Sequence, residues 1–242
     1  YMTQNPFGKQ GDFTTAPELT PLFGEMLGLW VAATWQQLGA PKPFNLLELG
    51  PGRGVLAADM LHAIKKAAPL CLEACRLHLV DISPVLTKCQ QQTLKNAPCP
   101  TTWHQDTTTV PQAPTIAIGN EFLDALPVDQ YEKKPDGHYY QRRINTDGEN
   151  LFFTLAKTPT KIQGQTPVVE HSPAMEKTLD DLKKISAQGA LLLLDYGALT
   201  PQTQGDSLQA VRNHASEDIF TAPGHADITW HINFTAPCAR LG

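Results

Sequence analysis

The sequence predicts a doubly wound α/β fold, with a mostly parallel sheet, helices on both of its faces and an antiparallel β insertion. Short apolar runs alternate with segments of helical periodicity, which is the pattern of strands joined by crossover helices. A glycine-rich turn joins the first of these runs to an amphipathic helix. In residues 128–172, by contrast, short strand-like runs are separated by Asp-Gly pairs, which are typical of hairpins.

The composition is that of one folded domain. The chain has 242 residues, of which 41% are hydrophobic and 18% charged, and this is enough to bury a large core. We expect a single domain over residues 1–242, with an N-terminal loop and helix in residues 1–40 and a β-hairpin insertion in residues 128–172. The formal net charge of −5 argues against a general nucleic-acid binder, which would be basic.

Features that the sequence lacks limit the possible functions further. No apolar run is as long as a membrane span, and no signal-peptide pattern is present. The five cysteines are odd in number and include no C-x-x-C pair, so we expect reduced thiols in an intracellular compartment. The eight histidines form no metal-binding array, and we predict no metal site.

The first predicted helix has clear signals at both ends. Thr20 can cap its N-terminus, Pro21 suits the first helical position, and Gly39 ends it. Apolar residues recur between these positions at helical spacing, and we interpret them as ordinary core packing.

A glycine turn follows the first predicted strand, residues 46–49, and precedes a predicted crossover helix, residues 55–67. Gly50, Gly52 and Gly54 stand at alternate positions in it. Glycine allows positive φ and close approach of a ligand to the backbone, and the helix N-terminus offers unpaired N–H groups. The sequence therefore predicts a nucleotide-binding turn; the alternative is a tight turn with no ligand.

The spacing of this turn indicates which class of nucleotide it binds. A dinucleotide fingerprint is G-x-G-x-x-G, but Val55 stands where its last glycine would be, which disfavours a nicotinamide oxidoreductase. Glu48 lies two positions before the first glycine, and the pattern E-x-G-x-G-x-G resembles motif I of the class I S-adenosylmethionine methyltransferases. In that family the carboxylate lies near the cofactor's ammonium group, and the glycine backbone lines its methionine part.

Acidic residues end the next two predicted strands. The strand of residues 77–81 ends at Asp81, where a carboxylate suits the hydroxyl groups of a ribose; the alternative is a carboxylate that only marks the entry to the next helix. A weaker third strand, residues 103–106, ends at Asp106, which could meet the adenine amino group. Three threonines follow it, so a solvated turn is the alternative.

The fourth predicted strand, residues 115–119, is followed by Asn120, Glu121 and Asp124. The ends of central strands line the crevice of a doubly wound sheet. If this segment becomes helical, the two carboxylates can face the same side, and such a pair can hold a guanidinium and help to remove its proton. The alternative is N-capping by Asn120 with two surface acids.

The second half of the chain contains hairpins and then returns to the α/β pattern. Asp195 and Tyr196 follow a buried strand and are second-choice substrate contacts at the crevice. The expected elements are strands at residues 129–133, 139–144 and 151–155, a helix from Ser172 and Pro173, a strand at 190–194 and a last strand at 227–234.

Several segments together resemble one family, the MidA-like methyltransferases, which are bacterial relatives of a mitochondrial complex I assembly factor that is a protein arginine methyltransferase. The resemblance covers nearly the whole chain, and its combination of segments is more specific than any one of them. The segments that carry it are residues 11–18, 48–54, 120–128, 194–197, 205–212 and 223–229.

The resemblance implies a Rossmann-like class I methyltransferase fold, S-adenosyl-L-methionine as cofactor, and an arginine nitrogen of a protein as acceptor, with symmetric dimethylation the product of the mitochondrial member. It implies that residues 11–18, which include Thr14 and Thr15, close over the cofactor. From it we also expect a homodimer, and the cytoplasm of a bacterium or the mitochondrial matrix of a eukaryote. We expect the final strands of the sheet to lie outside this chain.

These expectations assign a role to each candidate residue. Glycines 50, 52 and 54 seat the cofactor with Glu48 nearby, Asp81 binds the ribose, Glu121 holds and helps to deprotonate the guanidinium, and Asp124 supports it. Asn120 contacts either ligand. Two alternatives remain open: methylation of a small molecule, and a non-catalytic assembly scaffold that binds the cofactor.

Overall fold

The structure, a computed structural model, describes residues 16–199, 205–212, 215–221 and 223–242. Helices and strands alternate in the first half, and strands predominate in the second. In chain order the elements are α1 Ala16–Leu19, α2 Pro21–Gln37, β1 Phe44–Leu49, α3 Val55–Ala67, α4 Pro69–Ala74, β2 Cys75–Val80, α5 Pro84–Thr93, β3 Thr101–His104, β4 Thr115–Asn120, β5 Asp129–Lys133, β6 Tyr139–Thr146, β7 Leu151–Leu155, β8 Val168–His171, α6 Pro173–Ile185, β9 Ala190–Leu194, β10 Gly197–Ala198, β11 Gln209–Arg212, β12 Ala215–Glu217, β13 Asp227–Thr229, β14 Ile232–Asn233 and α7 Thr235–Leu241.

Five strands form a parallel sheet in the order β3-β2-β1-β4-β9, which confirms the predicted fold class. The central strand β1 is buried along its whole length, including its two polar residues Asn45 and Glu48, as expected for a strand covered on both faces. Because all five strands run the same way, their carboxyl ends meet at one edge of the sheet. Gly50, Asp81 and Glu121 all follow strands at that edge.

Both faces of this sheet are covered by apolar side chains. On one face Leu46, Leu77 and Ile116 pack with residues of α2 and α3, including Val31 and Met60. On the other face the buried cluster is Leu47, Leu49, Val80, Val110, Ala117 and Leu182, the last contributed by α6. The sheet is therefore doubly wound, as predicted.

The predicted ends of the first two long helices are confirmed. Thr20 caps α2 by accepting a hydrogen bond from the backbone N–H of Leu22 at 3.3 Å. Helix α3 begins after Gly54, which has φ of 81°, a left-handed value that glycine adopts without a steric penalty.

The insertion is a separate antiparallel sheet in the order β7-β6-β5-β8. Its two predicted turns contain Gly137 and Gly148 at φ of 83° and 102°. Strand β8 was not predicted from the sequence. It completes the sheet by pairing with β5 rather than with its neighbour in the chain.

Other differences from the predicted elements are small. The predicted last strand is divided into β13 and β14, and the third strand ends at His104, two residues earlier than predicted. Helix α4, which begins at Pro69, was not predicted, nor were α1, α7, β10, β11 and β12. Nowhere in the described ranges is there a helix with the length and apolar character needed to cross a membrane.

By its internal contacts the chain divides into two compact units. Unit 1 contains the parallel sheet and consists of the residues up to Phe122 together with Asp180–Leu194. Unit 2 contains the antiparallel insertion and consists of Leu123–Leu179 and Asp195–Gly242.

Candidate functional site

The glycine turn of unit 1 adopts a backbone that few other residues could follow. Gly50, Gly52 and Gly54 all have positive φ, at 58°, 53° and 81°. The turn begins where the backbone N–H of Gly50 donates to the carbonyl of Val80 at 3.0 Å, and it ends at the N-terminus of α3. A β-carbon at Gly50 would lie 2.9 Å from Cδ2 of Phe122, so a side chain there would displace that ring.

Glu48 places a carboxyl group inside the protein just before this turn. The residue is 2% exposed, and its Oε2 atom has no hydrogen-bond partner among the described residues. Burial raises the pKa of this carboxyl to about 8. A buried carboxyl with an unsatisfied oxygen is costly for a fold, and a ligand that donates to it or carries positive charge would offset that cost.

Asp81 is held in a small network after the end of β2. One oxygen accepts from the backbone N–H of Ser83 at 2.8 Å, and the other accepts from Nε2 of Gln90 at 2.7 Å. Burial raises the pKa of Asp81, although these two hydrogen bonds act in the opposite direction. The contact with Ser83 is the helix-entry arrangement given above as the alternative, and it leaves the proposed role toward a ribose untested.

Gln90 is a site residue that the sequence analysis missed. It lies on α5 with 0% exposure, and its side-chain nitrogen also donates to the carbonyl of Gly52 at 2.8 Å. Its Cα lies 3.4 Å from the position that a β-carbon would take at Gly54. One amide thus joins the glycine turn to Asp81. The sequence carried no signal for this role, because the burial of Gln90 is known only from the structure.

Asp106 is exposed, and its side chain caps a short 3₁₀ turn, Thr107–Thr109, by accepting from the backbone N–H of Thr108 at 2.7 Å. This is the turn that the three threonines indicated. Thr14 and Thr15 lie outside the described residues, so the closing loop remains a prediction.

Asn120 ends β4, and Glu121 follows it with φ of 48°. The backbone N–H of Glu121 donates to the carbonyl of Leu194 at 2.8 Å, which continues the pairing of β4 with β9 by one residue. Positive φ in a residue other than glycine costs free energy and is enriched at functional sites. The segment after Asn120 turns without forming a helix, so neither the helical arrangement of the two carboxylates nor N-capping by Asn120 occurs.

Asp124 and Asp195 belong to unit 2, where they lie side by side. Asp195 accepts from the backbone N–H groups of Leu123 and Asp124 at 2.7 and 3.3 Å, and from that of Tyr196 at 2.8 Å. The Asp195 carboxylate therefore holds the turn that carries Asp124, which is 8% exposed. Tyr196 is 63% exposed.

The described residues include no group of three or more His, Cys, Asp or Glu side chains that could hold a metal ion. The groups near the carboxyl edge of the parallel sheet are instead the buried carboxyl of Glu48, the carboxylate of Asp81 bound by the Gln90 amide, and the backbone of the glycine turn. These groups can hold an organic ligand that carries hydroxyl donors and a positive charge.

Comparison with known proteins identifies relatives of this chain. A family model of S-adenosyl-L-methionine-dependent methyltransferases matches residues 26–237. A protein arginine methyltransferase NDUFAF7 homolog, mitochondrial, from Drosophila melanogaster is 33% identical over 270 residues, which cover 97% of this chain and 61% of the relative. The protein of that name from Homo sapiens is 31% identical over 268 residues, with 97% of this chain and 60% of the relative covered.

Solved structures agree with this result. A Burkholderia thailandensis protein bound to S-adenosyl-homocysteine superimposes with a TM-score of 0.81 and 26% identity, over 98% of this chain and 65% of that one. A native structure from the same organism has a TM-score of 0.77 at 25% identity. The chain thus spans about three fifths of the length of the curated relatives it matches.

Proposed function

This chain belongs to the family of S-adenosyl-L-methionine-dependent methyltransferases, and from that premise we propose that it methylates an arginine nitrogen of a protein. The choice of arginine is supported by the relatives named protein arginine methyltransferase. Because those relatives are longer than this chain, their activity and substrates come to it only as part of this proposal.

The observation that carries the cofactor part of the proposal is the buried carboxyl of Glu48 beside a turn of positive-φ glycines. The Oε2 atom of Glu48 lacks a partner among the described residues, and the ammonium group of S-adenosylmethionine is a partner of suitable charge. We assign the glycine backbone to the methionine part of the cofactor, Asp81 to its ribose and Asp106 to its adenine. Thr14 and Thr15 belong to the loop that we expect to close over it.

The cofactor supplies a methyl group that its sulfonium has already activated, so the main tasks of the protein are positioning and removal of a proton. We assign both tasks toward the acceptor to Glu121, whose carboxylate can take two hydrogen bonds from a guanidinium and then accept one of its protons. Asp124 supports this role, and Asn120 contacts either ligand. Asp195 acts indirectly, through the turn that it holds.

The substitution Glu121→Gln tests this assignment. Glutamine keeps the shape of the side chain but cannot accept the proton, so methyl transfer should fall by at least about 100-fold, the usual contribution of a general base. S-adenosyl-homocysteine binding, measured by calorimetry, should be unchanged. Glu149→Gln, in an exposed hairpin turn, is the matched control and should keep full activity. Full activity of Glu121→Gln would remove Glu121 from the mechanism.

The identity of the acceptor is tested with a radiolabelled methyl donor. Label that appears in protein, and in methylarginine after hydrolysis, supports the proposal. Label confined to the small-molecule fraction would favour the small-molecule alternative, and cofactor binding without any transfer would favour the scaffold. The methylation pattern of the product would test the prediction of symmetric dimethylation.

The remaining expectations about partners stay predictions. They are a homodimer, a role in respiratory complex I assembly and, from the net charge of −5, no general binding of nucleic acid. The relatives named above carry the word mitochondrial in their names, so we expect this chain in the mitochondrial matrix if its source is a eukaryote and in the cytoplasm if it is a bacterium.

A further inference from the structure

Unit 2 contains a cavity of about 330 Å³ to which none of the assignments above gives a role. Its wall comes entirely from residues of unit 2, mainly from the segment around β8 and from the segment that joins β13 to β14. The volume is at the lower end of the range of small-ligand sites. It is therefore large enough for one side chain or a small molecule.

One side of this cavity is apolar and held in place. Trp230, Val168 and Ile232 line it and are 4%, 4% and 1% exposed. The indole nitrogen of Trp230 donates to the carbonyl of Leu126 at 3.0 Å. This bond satisfies the one polar atom of the side chain and fixes the ring in the cavity wall.

Two glycines of the cavity lining are closely packed against β8. A β-carbon at Gly164 would collide with Cγ2 of Val169, and one at Gly205 would collide with the carbonyl oxygen of Val168. Gly205 also has a positive φ, 68°. Both glycines line the cavity, and a side chain at either position would force its wall to move.

The other side of the cavity carries the carboxylate of Glu170. One of its oxygens accepts from Nε2 of Gln130 at 2.9 Å and from the backbone N–H of Ser207 at 3.0 Å. The other oxygen accepts from the hydroxyl of Ser207 at 2.5 Å. These donors, all neutral, fix the carboxylate without cancelling its charge, and the oxygen bound to the hydroxyl has capacity for another donor.

The charges next to the cavity also favour a positively charged ligand. Arg142 forms ion pairs with Glu132 and with Asp206 at 2.9 and 2.6 Å, and Gln130 connects Asp206 to Glu170. The cluster therefore contains one guanidinium, that of Arg142, and the three carboxylates of Glu132, Asp206 and Glu170. The described lining contains no lysine or arginine, and His231 is its one basic side chain.

We propose that this cavity binds a guanidinium group, supplied by an arginine side chain of the protein substrate other than the one that is methylated. A guanidinium is weakly hydrated enough to tolerate an apolar wall, and it offers several donors to a carboxylate. The preference for such a cation follows from the cavity itself. The choice of a protein arginine as its source rests on the function proposed above.

The test is calorimetry without any methyl donor, in the Glu121→Gln background so that the proposed acceptor site contributes as little as possible. The probe is a capped peptide with one arginine, compared with the same peptide carrying citrulline, which is neutral and of similar shape. The arginine peptide should bind at least about ten times more tightly, in line with the strength of charge-assisted hydrogen bonds. Guanidinium chloride and N-acetyl-arginine amide test whether the ligand is a free guanidino compound rather than a peptide. If these compounds bind and the arginine peptide does not, the ligand is not an arginine of a protein substrate.

Two matched variants locate the binding. Glu170→Gln keeps the shape of the side chain and should weaken binding of the arginine peptide at least about tenfold. Glu132→Gln removes the same charge from the same hydrogen-bonded cluster but does not line the cavity, and it should change the affinity less than twofold. Equal losses in the two variants, equal binding of arginine and citrulline, or no binding would each overturn the proposal.

A second variant covers the case in which Glu170→Gln does not fold. Gln165 lies on the exposed rim, and Gln165→Arg supplies a resident guanidinium that should compete with the peptide. Unchanged peptide binding in this variant would contradict the site. The methyl-transfer assay above is independent of these titrations, so failure of the cavity and failure of the proposed function give different results.

Discussion

We expect the burial of Glu48 to make cofactor binding a proton-linked event. Its carboxyl has a pKa of about 8, so it is mainly protonated at pH 7 in the free protein. A bound ammonium favours the ionised form. Binding of S-adenosyl-homocysteine at pH 7 should therefore release close to one proton, and affinity should rise from pH 6 to pH 8.

Calorimetry in buffers of different ionisation enthalpy measures this release directly. Glu48→Gln keeps the shape of the side chain and should abolish the release together with the rise in affinity. If the wild-type protein binds the ligand with no net proton release, the ammonium does not meet Glu48.

Gln90 is the residue that we expect to position the glycine turn. Its amide donates both to the carbonyl of Gly52 and to Asp81, so removal of the amide frees both groups at once. Gln90→Leu should weaken S-adenosyl-homocysteine binding by about tenfold, the usual effect of losing a buried hydrogen-bonded group. Calorimetry measures this affinity, and the control is Gln92→Leu, because Gln92 is exposed on the same helix. Equal affinities of the two variants would exclude this role.

At the scale of elements, β2 and β3 are joined by a pair of histidines whose protonation should weaken the sheet. Nδ1 of His78 lies 2.9 Å from Nε2 of His104, and burial, with His104 nearby, lowers the pKa of His78 to about 4. Since the folded state favours the neutral ring, its full stability is present above about pH 6.5 and is lost as the pH falls toward 4.

Urea unfolding at pH 7 and pH 4.5 should show this loss. We expect the free energy of unfolding to decrease by about 2 kcal/mol from this group, and His78→Gln should remove much of the decrease. The control is His62→Gln, an exposed position on α3, which should leave the decrease in place. The same pH dependence in both variants would place the acid-sensitive group elsewhere.

At the scale of the whole molecule, ligand binding should appear as added stability. A ligand that binds only the folded protein at 100 times its Kd adds about 2.7 kcal/mol, which raises Tm by roughly 5–10 °C for a chain of this size. S-adenosyl-homocysteine should produce this shift, and NAD at the same concentration should not. A shift with NAD alone would contradict the cofactor class.

The sequence predicted those elements whose signals are local. Residues 55–67 have helical periodicity and are preceded by Gly54, and Val55–Ala67 is the helix observed. The pair Asp147-Gly148 predicted a hairpin turn, because few residue pairs adopt the backbone angles of such a turn. Strand β8 has no such signal. It is a strand because β5, about forty residues earlier, offers a free edge to pair with.

The sequence by itself determined the fold class, the glycine turn and the acid before it, because apolar periodicity and the steric freedom of glycine are properties of neighbouring residues. Only the tertiary structure decided that Gln90 binds the turn, that the segment after Asn120 is not helical, and that Trp230 and Glu170 face one cavity. These depend on contacts between residues far apart in the chain, such as Gln90 with Gly52, for which the local pattern carries no signal.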